Sequence, residues 1–356
     1  MGHFRVGFIG TGKKPEKCGP KGYAMAYRHA AGYQLLDDCD IVACADIAQE
    51  NADAFAQEHG VANTYLDYHD MLAKEKLDIV SICTWPKLHA SMTIDCIEAG
   101  VPAIHCEKPM ALTYGECRKM LEFAQKEGTK LTFNHQRRFG APFRNAKKLL
   151  NDGVVGDLVR MEAHVGDLYD GGVHWVDMLN YFNNETPPCW VIGQIDCRKV
   201  RLVFGAPCEY QSISHVQYRN GVTALIITGS HAAEQGPPFR LLGTTGTIEI
   251  GWKPKPGPML KYWSTGSPDW VAVDCGKENL HGPGYIERAI IDVTECLRTG
   301  RVSELCAENE MKAMDIVFGC YESSRRRGRV DFPMKIEDSP IQDLIDSGAV
   351  KARIID

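Results

Sequence analysis

No apolar run in this 356-residue sequence reaches the length of a membrane span, so an integral membrane protein is not expected. A charged-then-apolar leader is missing too. Met1-Gly2-His3-Phe4-Arg5-Val6 enters a strand pattern at once, and Gly2 reads as the start of a fold rather than a lipidation site. There is no Cys-x-x-Cys and no Cys/His cluster with zinc spacing, so no metal is expected in spite of 14 cysteines. Cys44, Cys83, Cys96, Cys106 and Cys117 lie inside apolar strand or helix patterns, where reduced cysteine behaves as a small hydrophobe. A reducing cytoplasm is the expected compartment. No basic domain stands out: net charge is −6 with mixed signs throughout, which argues against a nucleic-acid partner. Internal repeats and low-complexity segments are also lacking.

What remains is a soluble globular composition, 44% hydrophobic and 24% charged, in a chain too long for one ordinary core. Two domains are expected, with the boundary near residue 135. In the first, buried strands alternate with helices: strands over 4–9 (FRVGFI), 40–45 (DIVACA), 78–83 (DIVSIC), 101–104 and 130–134, and helices over 47–59, 90–99 and from Thr113 to near Gly128. Thr113-Tyr114-Gly115-Glu116 has the capping-box pattern. Strands separated by helices in this rhythm imply a doubly wound parallel sheet of α/β class.

Gly10-Thr11-Gly12 follows the first strand at once, as in a dinucleotide-binding turn, where glycines let the backbone approach a pyrophosphate. The third glycine is not in its place; residues 13–23 intervene before a helical pattern resumes. Asp46, after the second strand, suits the adenosine ribose hydroxyls and would repel a 2′-phosphate, favouring NAD over NADP. It also suits a cap for the helix expected from Ile47. Lys13, Lys14, Lys17 and Lys21 would offset that repulsion or serve as solvated loop lysines.

Beyond residue 135 the pattern changes. A helix is expected around 145–151, then strands over 158–165, 190–197, 200–204, 211–218, 222–228, 240–243 and 247–250, with an Asn220-Gly221 hairpin turn among them. This predicts an α+β domain with a large open, mostly antiparallel sheet. Helices over 285–297 and 308–323 close it, with Arg325-Arg326-Arg327 as a solvated helix end. The tail from Pro333 is left either to a neighbouring subunit or to the first domain.

Two stretches carry candidate chemistry. Glu107-Lys108-Pro109 ends the strand over 101–104, and the carboxyl ends of such strands are where open α/β sheets hold ligands. Asp170 and His174, four apart, share a face if the chain is already helical there, and a carboxylate beside an imidazole suits proton transfer. An ordinary surface ion pair and a capping aspartate are the plain alternatives.

With these in order, and with Arg138-Phe139 between them, the chain resembles the Gfo/Idh/MocA family of nicotinamide-dependent oxidoreductases from Phe4 to about Pro333. The resemblance implies a Rossmann domain over 1–135 and a substrate-binding and oligomerisation domain over 136–356. It implies an active-site lysine at Lys108 and the Asp/His pair at Asp170 and His174. It also implies a Thr-x-Pro-x-x-His turn beside the cofactor at Thr84, Pro86 and His89, with Trp85 in the variable position. NAD is the expected cofactor, held by Gly10, Thr11, Gly12, Asp46, Thr84, Trp85, Pro86, His89, Glu107, Lys108 and Asn134. Lys108, Arg137, Tyr169, Asp170 and His174 are expected at the substrate, with Trp175 and His281 as further pocket candidates. A homo-oligomer formed through the open face of the second sheet is implied as well.

The expected reaction is hydride transfer from a secondary hydroxyl of a sugar or glycoside to NAD, with C3 of a glucoside the preferred position. His174 would serve as base, Lys108 would hydrogen-bond the reacting oxygen, and Asp170 would orient His174. Glu107 is expected to organise the loop. Two other readings stay open: a glycosidase-like enzyme using transient C3 oxidation and elimination, and a non-catalytic NAD-binding regulator.

Overall fold

A computed structural model describes residues 3–17, 23–251 and 257–355. The chain forms two compact units. One comprises Met1–Gln136, Phe204–Ala206 and Ile286–Met311; the other comprises Arg137–Val203, Pro207–Tyr285 and Lys312–Asp356.

The first unit runs β1 (Phe4–Ile9), α1 (Met25–Tyr33), β2 (Cys39–Ala45), α2 (Gln49–His59), β3 (Asn63–Tyr65), α3 (Tyr68–Lys74), β4 (Ile79–Ile82), α4 (Pro86–Glu98), β5 (Ala103–Cys106), α5 (Tyr114–Glu127) and β6 (Lys130–Phe133). Its six strands are ordered β3-β2-β1-β4-β5-β6, and each neighbouring pair runs parallel. The order reverses between β1 and β4, which makes the carboxyl ends of those strands the place for a ligand. Phe8 on β1, Tyr33 on α1 and Phe55 on α2 interlock beneath it, with Phe8 and Phe55 rings 5.0 Å apart. The helix Tyr285–Thr299 returns to this core through Ile290, so close to α1 that a Cβ on Gly32 would lie 2.8 Å from the Ile290 Cβ.

Thr113 caps α5 reciprocally with Glu116, and Gly128 ends that helix at φ 74°. Three local expectations need correction. Helix α2 begins at Gln49 rather than Ile47, which is left 94% exposed ahead of the buried stripe. Helix α4 begins at Pro86, so residues 86–89 form its first turn and not a separate turn; Pro at the first helical position loses no intrahelical bond. The short polar strand β3 was not anticipated. Of the intervening segment 13–23, residues 15–17 form a single 3₁₀ turn, while residues 18–22, including Lys21, lie outside the described residues.

The second unit contains α6 (Ala141–Asn151), β7 (Leu158–Val165), α7 (Gly172–Phe182), β8 (Pro188–Asp196), β9 (Lys199–Val203), β10 (Ala206–Cys208), β11 (Gln211–Tyr218), β12 (Thr223–Gly229), α8 (Ala232–Gln235), β13 (Phe239–Gly243), β14 (Gly246–Ile250), β15 (Leu260–Ser264) and β16 (Val271–Val273). The helix already met at Tyr285–Thr299, α9, is followed by α10 (Ala307–Arg326), β17 (Val330–Asp331), α11 (Pro340–Asp346) and β18 (Arg353–Ile355). The large sheet has nine strands in the order β16-β15-β14-β13-β7-β12-β11-β8-β17, antiparallel except where β12 meets β7. Asn220-Gly221 makes the expected hairpin between β11 and β12, with Gly221 at φ 89°. Phe239 collects Phe143, Phe182 and the stacked Trp175 into one core.

Arg325 does not end its helix in solvent. It pairs with Glu322, Asp338 and Asp343, and so pins the tail. Within the tail, β18 pairs in parallel with β9 of its own unit. Every described cysteine is free, and no described helix is long and apolar enough to cross a membrane.

Candidate active site

At the end of β1 the chain needs left-handed backbone twice, at Gly10 (φ 82°) and Gly12 (φ 63°), which only glycine adopts readily. A Cβ on Gly10 would also lie 2.5 Å from the Thr84 methyl, whereas Gly12 faces open space. Asp46, expected at a ribose, braces this turn. One carboxylate oxygen accepts from Gly12 N (2.8 Å) and Thr11 Oγ1 (3.2 Å); the other accepts from Ala48 N (2.9 Å) and Asn51 Nδ2 (3.2 Å). It is not the helix cap, since Ala48 holds that position. A carboxylate has about four lone-pair directions, so a ribose hydroxyl would replace Thr11 or Asn51, the two longer bonds. The open space at Gly12 and this exchangeable acceptor fit a dinucleotide. Lys14 is drawn to Glu58, at 3.0 Å.

The Lys108 loop is held from several sides. Glu107 N donates to Ile82 O, fixing the end of β5 against β4, and the Lys108–Pro109 peptide is cis. Glu107 Oε1 accepts from His29 Nε2 (2.9 Å) and Asn134 Nδ2 (2.7 Å), while its other oxygen faces Lys108 N at 3.3 Å. Burial would raise this carboxyl, but the His29 bond and charge, the Asn134 bond and the Lys108 charge outweigh it and hold it at about 2. Asn134 spends its amide N–H on Glu107, as a loop brace. His89 Nδ1 lies 2.9 Å from Pro109 O and its Nε2 lies 3.1 Å from Thr84 O, tying the glycine-side turn to the lysine loop. Glu310 accepts from Met110 N and bonds His135. Trp85 is 52% exposed, with Lys87 over its ring and Phe204 beside it.

In the second unit, α7 is buried on every side, with Val173, Val176 and Leu179 in the core. The helix starts at Gly172, so Asp170 lies in the bend before it. The four-residue spacing to His174 is therefore not a helical pair, and Gly171, not Asp170, is the N-cap. Two buried carboxylates shape that bend. Asp167 accepts from Asp170 N (2.6 Å) and Gly171 N (3.1 Å) and pairs with Arg201 at 2.6 Å. Glu209 accepts from Leu168 N (2.8 Å), Thr228 Oγ1 (2.7 Å) and Tyr321 OH (2.8 Å). Burial, then the charge of Asp167, pushes the Glu209 carboxyl up to about 7. Gly172 is obligatory, because a Cβ there would overlap the Asp167 carbonyl. Tyr169 and His174 are buried and Asp170 is half-buried.

Arg137, Trp175 and His281 do come together. The Arg137 guanidinium stacks 4.4 Å from the Trp175 ring centre, donates to Leu280 O and reaches His281 Nδ1 at 3.2 Å. Burial pulls it down to about 9 against Tyr285 and Asp170, and burial followed by Arg137 lowers His281 to about 4. The adjacent Arg138 instead forms a buried two-pronged pair with Asp177. His29, Asp167, Arg201 and Glu209 were missed by sequence reasoning. The Asp167-x-x-Asp170-Gly171-Gly172 turn was the one available signal.

The family models settle the resemblance. Residues 4–135 match the oxidoreductase family's NAD-binding Rossmann fold, and residues 147–332 match its C-terminal alpha/beta domain. The chain belongs to the Gfo/Idh/MocA oxidoreductase family. Its first domain is thus an NAD-binding Rossmann domain. D-Glucoside 3-dehydrogenase of Escherichia coli (strain K12) is 28% identical over 197 residues, 50% of this chain and 53% of that protein, so the chain spans about half the length of that relative. D-Apiose dehydrogenase of Paraburkholderia graminis is 24% identical over 364 residues, 91% of each chain. An oxidoreductase from Agrobacterium radiobacter, solved with NAD+, L-tartaric acid and magnesium, shares the fold with a TM-score of 0.76 at 17% identity, covering 92% of this chain and 98% of the other.

Proposed function

We propose that this Gfo/Idh/MocA protein is an NAD-dependent dehydrogenase of a secondary hydroxyl on a sugar or glycoside, with C3 of a glucoside the preferred position. What supports this reading is a family-type Glu107-Lys108-Pro109 turn in the first unit, its Glu107 held by His29 and Asn134, together with Asp170 in the bend before a buried helix of the second unit and His174 in that helix's first turn. The E. coli relative's name supports the C3 preference.

NAD, when bound, supplies the hydride acceptor. His174 removes the hydroxyl proton, Lys108 hydrogen-bonds the same oxygen as it gains alkoxide character, and Asp170 orients the imidazole. Gly10, Thr11, Gly12 and Asp46 hold the adenosine side, and Thr84 to His89 position the neighbouring turn. The Asp46 charge disfavours a 2′-phosphate, which supports NAD over NADP. Arg137, Tyr169 and Trp175 offer a guanidinium and aromatic faces to a sugar ring. The open face of the nine-stranded sheet, where Ile192 and Ile213 are half-exposed, suits a second copy of the chain in a homo-oligomer. A cytoplasmic location accords with the free cysteines.

Purified protein with NAD and a panel of sugars, inositols and glycosides tests the reading, following nicotinamide absorbance and product mass together. Substrate-dependent NADH with a product two hydrogens lighter supports it. Aglycone release without net NADH would replace it with oxidation-assisted glycoside cleavage, and NAD binding with no turnover would replace it with a regulator.

A further inference from the structure

Behind the Lys108 loop runs a chain of buried polar groups within the first unit. Tyr33 OH lies 3.2 Å from Ser81 Oγ, and Ser81 Oγ lies 3.4 Å from His29 Nδ1, with Cys83 Sγ 3.5 Å from the same nitrogen. His29 Nε2 then meets Glu107 Oε1, and the other Glu107 oxygen meets Lys108 N. Tyr33, His29, Ser81 and Asn134 are all closed to solvent. An ionised carboxylate only accepts, so His29 Nε2 carries a hydrogen and donates it to Glu107.

The charges around Glu107 sharpen this. His29 faces it from α1, Cys83 from the end of β4, His89 from α4, His105 and Cys106 from β5, and Lys108 adjoins it. Burial lowers His105 to about 3 and also lowers His89, and it raises both thiols. The charges that answer the carboxylate are those of His29 and then Lys108. A buried carboxylate also needs hydrogen-bond donors, and His29 and Asn134 supply them on Oε1. Without His29 the carboxylate is free to turn toward the lysine side chain and to release the lysine backbone.

We propose that His29 is a positioning residue for Lys108, acting through Glu107 and touching neither substrate nor cofactor. The proposal rests on the reading of Lys108 as an active-site residue.

The test compares His29→Phe, which keeps the ring without the donor, with His29→Gln, whose amide N–H reaches the Nε2 position, and with Lys108→Met. Two quantities are read: steady-state kcat with its pH profile, and the pH-dependent rate at which trinitrobenzenesulfonate labels Lys108, measured on the Lys108 peptide by mass spectrometry without substrate. His29→Phe is expected to lower kcat about tenfold to a hundredfold, to change KM for NAD less than about twofold and to alter the labelling profile; His29→Gln is expected to restore most of both. Unchanged labelling and kcat in His29→Phe overturn the proposal, as does equal damage by Phe and Gln. Altered labelling with turnover indifferent to Lys108→Met upholds the positioning and removes Lys108 from the reaction. If His29→Phe does not fold, His29→Gln against wild type decides: near-wild-type labelling and kcat uphold the donor role, and a Phe-like loss of folding overturns it.

Discussion

Arg138 and Asp177 offer the sharpest stability test, because Asp177 lies on the helix that carries His174. Both side chains are 1% exposed, with Arg138 Nε 2.9 Å from Asp177 Oδ2 and Nη2 2.6 Å from Oδ1. Burial would lower the guanidinium, but Asp177 and then Glu185 outweigh that and raise it. Asp177→Asn leaves a buried cation with Glu185 alone, at 2.7 Å and on the more exposed side. Removing one member of such a pair costs about 3–5 kcal/mol, whereas replacing both with apolar groups of similar volume is often near neutral. Native-state hydrogen exchange on α7 reads this directly. At about 4 kcal/mol the opening constant rises about a thousandfold in Asp177→Asn. In Arg138→Met/Asp177→Leu most of that loss is recovered, since Glu185 still has Lys312 at 3.6 Å and solvent. A single variant costing less than about 1 kcal/mol, or a double variant as unstable as the sum of its singles, would refute the account.

His174→Ala should lower turnover about a hundredfold or more if it is the base, and an unchanged pH profile in that variant would remove it from the role. Gly172→Ala forces a methyl into the Asp167 carbonyl and should cost about 1–3 kcal/mol together with most of the turnover. Gly171→Ala, whose added Cβ would stand 3.7 Å from Val165, should behave as wild type; equal effects of the two changes on melting and kcat would contradict this. Glu209, with its folded pKa raised to about 7, binds more protons folded than unfolded between about 4.5 and 7. Stability of the second unit should therefore fall as pH rises through that window, and Glu209→Gln should flatten the fall; identical slopes in urea titrations would exclude Glu209 as its source.

Much of this protein was legible from local pattern. The strand–helix rhythm fixed the parallel sheet, Thr113 to Glu116 marked the start of α5, and Asn220-Gly221 marked a hairpin. Each signal lies within a few residues and reflects backbone preferences that hold wherever the segment packs. The Glu107-Lys108-Pro109 turn and the Asp170/His174 spacing were equally visible, and they carried the resemblance that the family models bear out. Local pattern erred where tertiary packing chooses the boundary. Residues 86–89 joined α4, and Asp170 fell outside α7.

What only the tertiary structure decided is the bracing of those candidate residues. His29 meets Glu107 across 78 residues, Glu209 reaches Leu168 across 41 and Arg201 reaches Asp167 across 34. None of these partners has a spacing that announces it. A buried carboxylate must find donors, but which donors it finds depends on strand order, register and helix rotation, and these are set only once the core has closed.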